Sequence, residues 1–282
     1  AQGSTVRCRV TRPSIDPPGA PGVHFEGCMV WRYHPESREF EIFAEGGGNV
    51  FGLEFDSDGR LFSGHNGGGT RGFHYVQGGL YLKQGKSPGK FGPPDNPFAF
   101  GELPMMPGGN IPRFSHNVIV VNGSALPDTW QGRLLGADPL HRHLVLSERS
   151  VRGASFTTRD IGFPVKNSDV AFRPVFMANA PDGSLLIADF YERYIAHGQH
   201  YQSQIDPTSG RVYRLRAKSK PLVADTNLSV KTDGQLIGLL AHPNKWHRQT
   251  AVRLLGHRAT AVTNAKLRKQ IKAETGRAAL HG

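Results

Sequence analysis

The chain has 282 residues, enough for one large domain or two, and at 38% hydrophobic residues it can bury a sizeable core. Its 35 Gly and 20 Pro are too aperiodic for a collagen-like chain and too many for a helical one, so short strands joined by many turns are expected. The net charge of +11 sits at one end: residues 1–210 hold 19 Lys+Arg against 20 Asp+Glu, and residues 211–282 hold 15 against 3. Such a basic tail can bind an anionic surface or a nucleic acid or be one solvated helix face; the solvated face is the reading favoured, and no nucleic-acid partner is expected.

Cys8 and Cys28 form no C-x-x-C pair; a disulfide in an oxidising compartment and two buried thiols both fit them. No run of about eighteen apolar residues is present, so no transmembrane segment is expected. Residues 1–27, rich in Pro and Gly, read as an extended loop. From Cys28 the pattern turns to strands: CMVWRYHP, then EFEIFAEG, then a hairpin at GLEFDSDGRLFSG whose Asp-Gly step suits a tight turn. GFHYVQGGLYL adds a third strand and a fourth. Residues 83–112 lack periodicity and read as one long loop, of a length that usually caps or gates something.

Strands resume at SHNVIVVNG and continue through GRLLGAD, HLVLSER, ASFTTRDIG, PVFMANA and SLLIADF, ending with GRVYRLRAK. PDGSLLIADF repeats the logic of DSDGRLFSGH: an Asp-Gly turn, an apolar strand, then a polar group. About twelve strands in recurring hairpins suggest three four-stranded blades of a β-propeller. Past Pro221 the texture becomes helical, with two helices joined at His242-Pro243-Asn244 and a basic helix around 264–274. The division expected is a propeller fragment over 1–220 and a truncated α-solenoid segment over 221–282.

Several stretches then resemble a known family. GGNVFGLEFDSDGRLF resembles the arginine-asparagine-proline-x-glycine-leucine strand of soluble quinoprotein glucose and sorbosone dehydrogenases. ALPDTWQGRLLGAD and FRPVFMANAPDGSLLIADF resemble later blades of the same proteins. WRYHPESREFEIFAEGGGN, FSGHNGGGTRGFHYVQGG, FYERYIAHGQHY, SGRVYRLR and HPNKWHRQTAVRLL resemble the multidomain membrane-bound dehydrogenases of planctomycete-type bacteria. The resemblance implies a mainly β fold, about half of a six-bladed β-propeller, followed by a short HEAT-like helical segment. It implies an extracytoplasmic or periplasmic protein, attached to a membrane, if at all, through parts outside this chain. The activity implied is oxidation of a sugar or other hydroxylated substrate. Pyrroloquinoline quinone with calcium would be the cofactor, and electrons would pass to a c-type haem domain outside this chain. The general base would lie upstream, so the chain alone is expected to be inactive.

Residue by residue, the resemblance assigns Asn49 and Arg173 to the cofactor, although Asn49 could equally cap its own turn and Arg173 bridge adjacent blades; Gly48 stands where the pattern has Arg, and Pro139 to His141, where the pattern has a cofactor-facing Lys, contain none. His65 and Asn66, with Arg71 and His74 behind them, pair imidazoles with a carboxamide and a guanidinium. Such a set can hold a hydroxylated or anionic ligand and move a proton, or it can satisfy exposed backbone groups of a loop. His116, Asp189 and Tyr191 complete the expected substrate pocket. His197 and His200, three apart, lack a matching carboxylate or Cys pattern, and no metal is assigned. The other function class left open is a non-catalytic propeller that grips a glycan or a protein partner.

Overall fold

A computed structural model describes residues 2–10, 17–21, 23–47, 51–65, 69–83, 99–110, 117–193, 206 and 208–273. Strand β4 (Glu54–Phe55) turns into β5 (Leu61–Ser63) at Asp56. Asp56 Oδ1 accepts the backbone N–H of Asp58 and of Arg60, each at 2.9 Å, while Gly59 takes a φ of 79° that side-chain-bearing residues resist. The same device recurs at Asp182, whose Oδ1 accepts from Ser184 N at 3.0 Å beside Gly183 at φ 85°. It joins β13 (Pro174–Asn179) to β14 (Leu185–Asp189). Both Asp-Gly turns read from the sequence are therefore hairpins closed by their own aspartate.

Four sheets result. The first has five strands in the order β1 (Gln2–Val10), β2 (Val23–His34), β3 (Glu39–Gly47), β7 (Gly79–Lys83) and β8 (Gly101–Leu103), with β7 parallel to both neighbours. The second is β4, β5 and β6 (Phe73–Tyr75). The third runs β9 (Asn117–Val120), β10 (Leu134–Asp138), β11 (His143–Arg152) and β12 (Ser155–Lys166). The fourth is β13, β14 and β15 (Arg211–Leu215). Two expectations are corrected here. Residues 1–27 hold β1 and the start of β2, and residues 83–112 hold β8, because in each case the partner strand supplies hydrogen bonds that local composition does not reveal.

The run Asn117–Val120 is buried throughout, since β9 is covered on both faces. Val118 and Val120 pack with Phe62, Met106, Leu134 and Phe156 on one side, and Ile119 packs with Leu135, Leu144, Met177 and Ile187 on the other. Each such side chain contributes roughly 1.5–3 kcal/mol by leaving water. Successive sheets thus lie face to face, with their first strands β4, β9 and β13 adjoining. Asn117 Oδ1 accepts from Met177 N at 2.8 Å, and Asn179 Nδ2 donates to Val120 O at 2.9 Å and to Glu54 Oε1 at 3.2 Å. This mainly β arrangement, with stacked sheets sharing an inner rim, is propeller-like.

Residues 106–110 run as a strap between two sheets. Met106 N donates to Gly72 O at 2.9 Å and Thr70 Oγ1 to Met106 O at 2.6 Å. On the far side Thr158 N donates to Pro107 O at 2.8 Å and Asn110 N to Asp160 Oδ2 at 2.8 Å.

The helical part starts with a capping box, Thr232 with Gln235, on α1 (Asp233–Gly238). A 3-10 turn over Leu239–Ala241 follows, then α2 (Lys245–His257) capped by Asn244, then α3 (Ala261–Ala273). Leu228, Leu236, Leu240, Ala251 and Leu255 form their core. No helix among the described residues is long and apolar enough to cross a membrane.

Candidate functional site

The turn between β10 and β11 brings one carboxylate and two imidazoles together, with their ligand atoms within 4.8 Å of one another. Asp138 ends β10 and is fully buried. Its Oδ1 accepts the N–H of Leu140 and of His141, both at 3.1 Å, which bends the chain back toward His143. Its Oδ2 faces two imidazoles, His141 Nδ1 at 2.7 Å and His143 Nε2 at 3.2 Å. The two rings lie nearly parallel with centroids 5.7 Å apart, and His143 leans on Phe163 at 4.5 Å. The side chain of His141 is 46% exposed and that of His143 only 14%.

Arg173 holds this turn from the neighbouring sheet. Its Nη1 donates to Pro139 O at 3.0 Å and, at 3.5 Å, to Leu140 O. Its Nε donates to Glu192 O at 2.8 Å and its Nη2 to Arg193 O at 2.7 Å. Burial and the nearby Arg142 charge pull the guanidinium pKa below its usual value, against the Asp189 carboxylate. Asp189 fixes the same corner: its Oδ1 accepts from Arg173 N at 2.6 Å and from Tyr191 N at 2.9 Å. Tyr191 adopts a φ of 55°, and the Arg211 guanidinium lies 3.7 Å from its ring centroid. Arg173, Asp189 and Tyr191, all predicted site residues, thus come together, and the turn at Pro139–His141 joins them.

His65, Arg71 and His74 belong to a different place. All three are buried, and they engage β6 and β12 rather than the Arg173 corner. Arg71 Nε pairs with Asp160 Oδ1 at 2.9 Å, and Gly109 packs so close that a methyl group there would stand 2.7 Å from Arg71 Nη2. His65 meets the edge of Phe73, with centroids 5.2 Å apart. His74 stacks on Phe62 at 5.1 Å and meets Phe156 edge-on at 5.1 Å. Burial, then the Arg60 charge, lowers the His74 pKa, with Asp56 opposing. The loop pocket expected from these residues is, for the three described, a set of interior contacts between sheets. Asn49, Asn66 and His116 lie outside the described residues, as do His197 and His200.

A third polar centre was not anticipated. Lys245, the first residue of α2, is buried; its Nζ pairs with Glu54 Oε1 and donates to Phe55 O, and its backbone N–H donates to Asn122 Oδ1. Burial, then the Arg248 charge, brings the ammonium pKa down to about 8. A sequence signal existed: a Lys at a helix N-terminus opposes the helix dipole and calls for a carboxylate nearby. The Asp138 cluster also had one, D-x-x-H-x-H across a predicted hairpin.

A family model described as a domain of unknown function, DUF7133, matches residues 23–219. The chain belongs to the DUF7133 family. The matched region spans β2 to β15 and includes the Asp138 turn, Arg173 and Asp189, whereas Lys245 and the three helices follow it. No curated protein matches the chain. Among solved structures, this DUF7133 chain is similar to a Thermus thermophilus protein described as an oxidoreductase (glucose dehydrogenase). The match is 20% identical with a TM-score of 0.40 and covers 62% of this chain and 47% of that one. A second similar structure is a glucose dehydrogenase, 14% identical, covering 71% of this chain and 76% of that one with a TM-score of 0.28. The chain therefore spans about half the length of the first.

Proposed function

We propose that this DUF7133 chain is the propeller portion of an oxidoreductase acting on a sugar or other small hydroxylated substrate, with HEAT-like repeats continuing from its helices. The observation that carries the reading is the meeting of Arg173 with the Pro139–Leu140 turn and with Glu192–Arg193. Arg173 and the Pro139–Leu140 turn, two positions that the dehydrogenase-like sequence pattern turns toward the cofactor, are in direct contact. In this reading the corner opens at the half-exposed His141, and Arg173 with Asp189 keep its backbone rigid. The protein would work outside the cytoplasm and pass electrons to a c-type haem domain.

A quinone gripped by Arg173 does not fit. Its guanidinium donates to four backbone carbonyls, which leaves a single N–H, too little for a two-pronged clamp on quinone oxygens. The same saturation of Arg173 favours a second reading, a non-catalytic module that binds a glycan or a protein partner.

The test is dye-linked oxidation by the protein carrying this chain across a panel of sugars and polyols, with and without added pyrroloquinoline quinone and calcium. Dye reduction with at least one substrate is expected. Its absence throughout, with retained binding on a glycan array, would replace the oxidoreductase by the binding module.

A further inference from the structure

We propose that the Asp138–His143 turn binds a divalent transition metal of the zinc class through Asp138 Oδ2, His141 Nδ1 and His143 Nε2, leaving a fourth position for water or a small anion. The three ligand atoms lie within 4.8 Å of one another. Tetrahedral zinc with nitrogen and oxygen ligands at about 2.0–2.2 Å separates those ligands by roughly 3.3 Å. His143 Nε2 is already 3.2 Å from Asp138 Oδ2. His141 Nδ1, at 2.7 Å, needs to withdraw by about 0.6 Å to reach that spacing. Its half-exposed ring has the room to do so.

The surroundings suit a metal more than a proton shared between side chains. Asp138 is held by its other oxygen, which takes two backbone N–H groups, so Oδ2 is aimed and left for the imidazoles. His143 Nε2 is buried and makes no hydrogen bond among the described residues, although it faces a carboxylate. A cation on that side would satisfy His143 Nε2, while Oδ2 already meets His141 Nδ1 at 2.7 Å. The turn itself is braced: Asn167 N donates to Arg142 O at 3.0 Å, and Arg173 fixes the carbonyls of Pro139 and Leu140. Two nitrogens and one oxygen select zinc, cobalt or nickel over calcium or magnesium, which prefer all-oxygen shells. Three protein ligands leave the coordination open, as in sites that activate a bound molecule rather than only crosslink the chain. The site shares the Pro139–His141 corner with the oxidoreductase reading but does not rest on it.

The test strips the protein carrying the whole chain with a chelator, then titrates Zn²⁺ by calorimetry and Co²⁺ by visible absorption. One saturating ion per chain is expected, with Co²⁺ bands of low coordination number. His141→Ala should weaken binding by at least about 100-fold and abolish those bands, with an unchanged far-UV circular dichroism spectrum. His143→Gln, which keeps a polar side chain against Phe163, should do the same. No saturable binding by the wild type, or an affinity unchanged in His141→Ala, overturns the proposal. Metal binding without dye reduction counts against the oxidoreductase alone, and dye reduction without metal binding against this site alone.

Discussion

Replacing Lys245 with methionine removes the cation that ties α2 to the inner rim of the sheets. The loss leaves Glu54, whose side chain is 16% exposed, with Asn179 Nδ2 at 3.2 Å as its remaining partner among the described residues, and it strips Phe55 O of a donor. Breaking a buried ion pair from one side costs about 3–5 kcal/mol. The partial exposure of Glu54 and its surviving amide bond place this case at the low end, about 3 kcal/mol. The measurement is urea unfolding at pH 7, below the Lys245 pKa of about 8 so that the ammonium is charged. It is followed both by far-UV circular dichroism and by tryptophan fluorescence, since Trp246 adjoins the pair. Glu54→Met combined with Lys245→Met removes both charges and should recover at least about 1 kcal/mol of what the single Lys245 change loses. A loss below about 1 kcal/mol for Lys245→Met, or strict additivity in the double variant, would show that the pair does not anchor the helices.

The remaining predictions concern the sheets. The His74 pKa lies below its ordinary value of 6.5, so the unfolded chain takes up a proton before the native one does. Its stabilising share is complete above pH 6.5 and is lost as pH falls toward the folded value; His74→Phe should flatten that slope in urea titrations between pH 7 and pH 5. Gly72 has a φ of 115°, and a methyl group there would stand 1.9 Å from Ser63 O, so Gly72→Ala should cost more than about 3 kcal/mol or prevent folding. Gly59→Ala, at φ 79° with nothing within 4 Å, should cost only about 1 kcal/mol from backbone strain, and thermal melts compare the two.

What was legible in the chain was what local chemistry decides. The turns at Asp56 and Asp182 are closed by their own side chains and by a glycine with positive φ, so their residues announce them. The apolar run Val118-Ile119-Val120 marked a strand but not that sheets would cover it on both sides. Pairing with a remote partner is invisible locally, which is why β1, β8 and the strap at 106–110 read as loop. The site was harder for the same reason. Arg173 could be picked out, but its acceptors are backbone carbonyls of Pro139, Leu140, Glu192 and Arg193, which carry no sequence signature. Arg71 and His74 follow the His65-Asn66 loop, where imidazole, carboxamide and guanidinium together point to a ligand; only the neighbouring strand β12, bringing Asp160 and Phe156, shows them facing inward.

The strap at 106–110 bears on how such a protein avoids sticking to itself. An uncovered strand edge is a template on which another chain can add its own strand. Here Gly72 O beside β6 and Thr158 N on β12 spend their hydrogen bonds on Met106 and Pro107. Proline has no N–H of its own to offer beyond that point. Gly108 lies so close to β12 that a methyl group on it would stand 1.9 Å from Thr158 O, which leaves no space there for an invading strand. Aggregation through this edge would first have to peel the strap away, so substitutions that loosen it are expected to act as solubility defects before they act on any ligand.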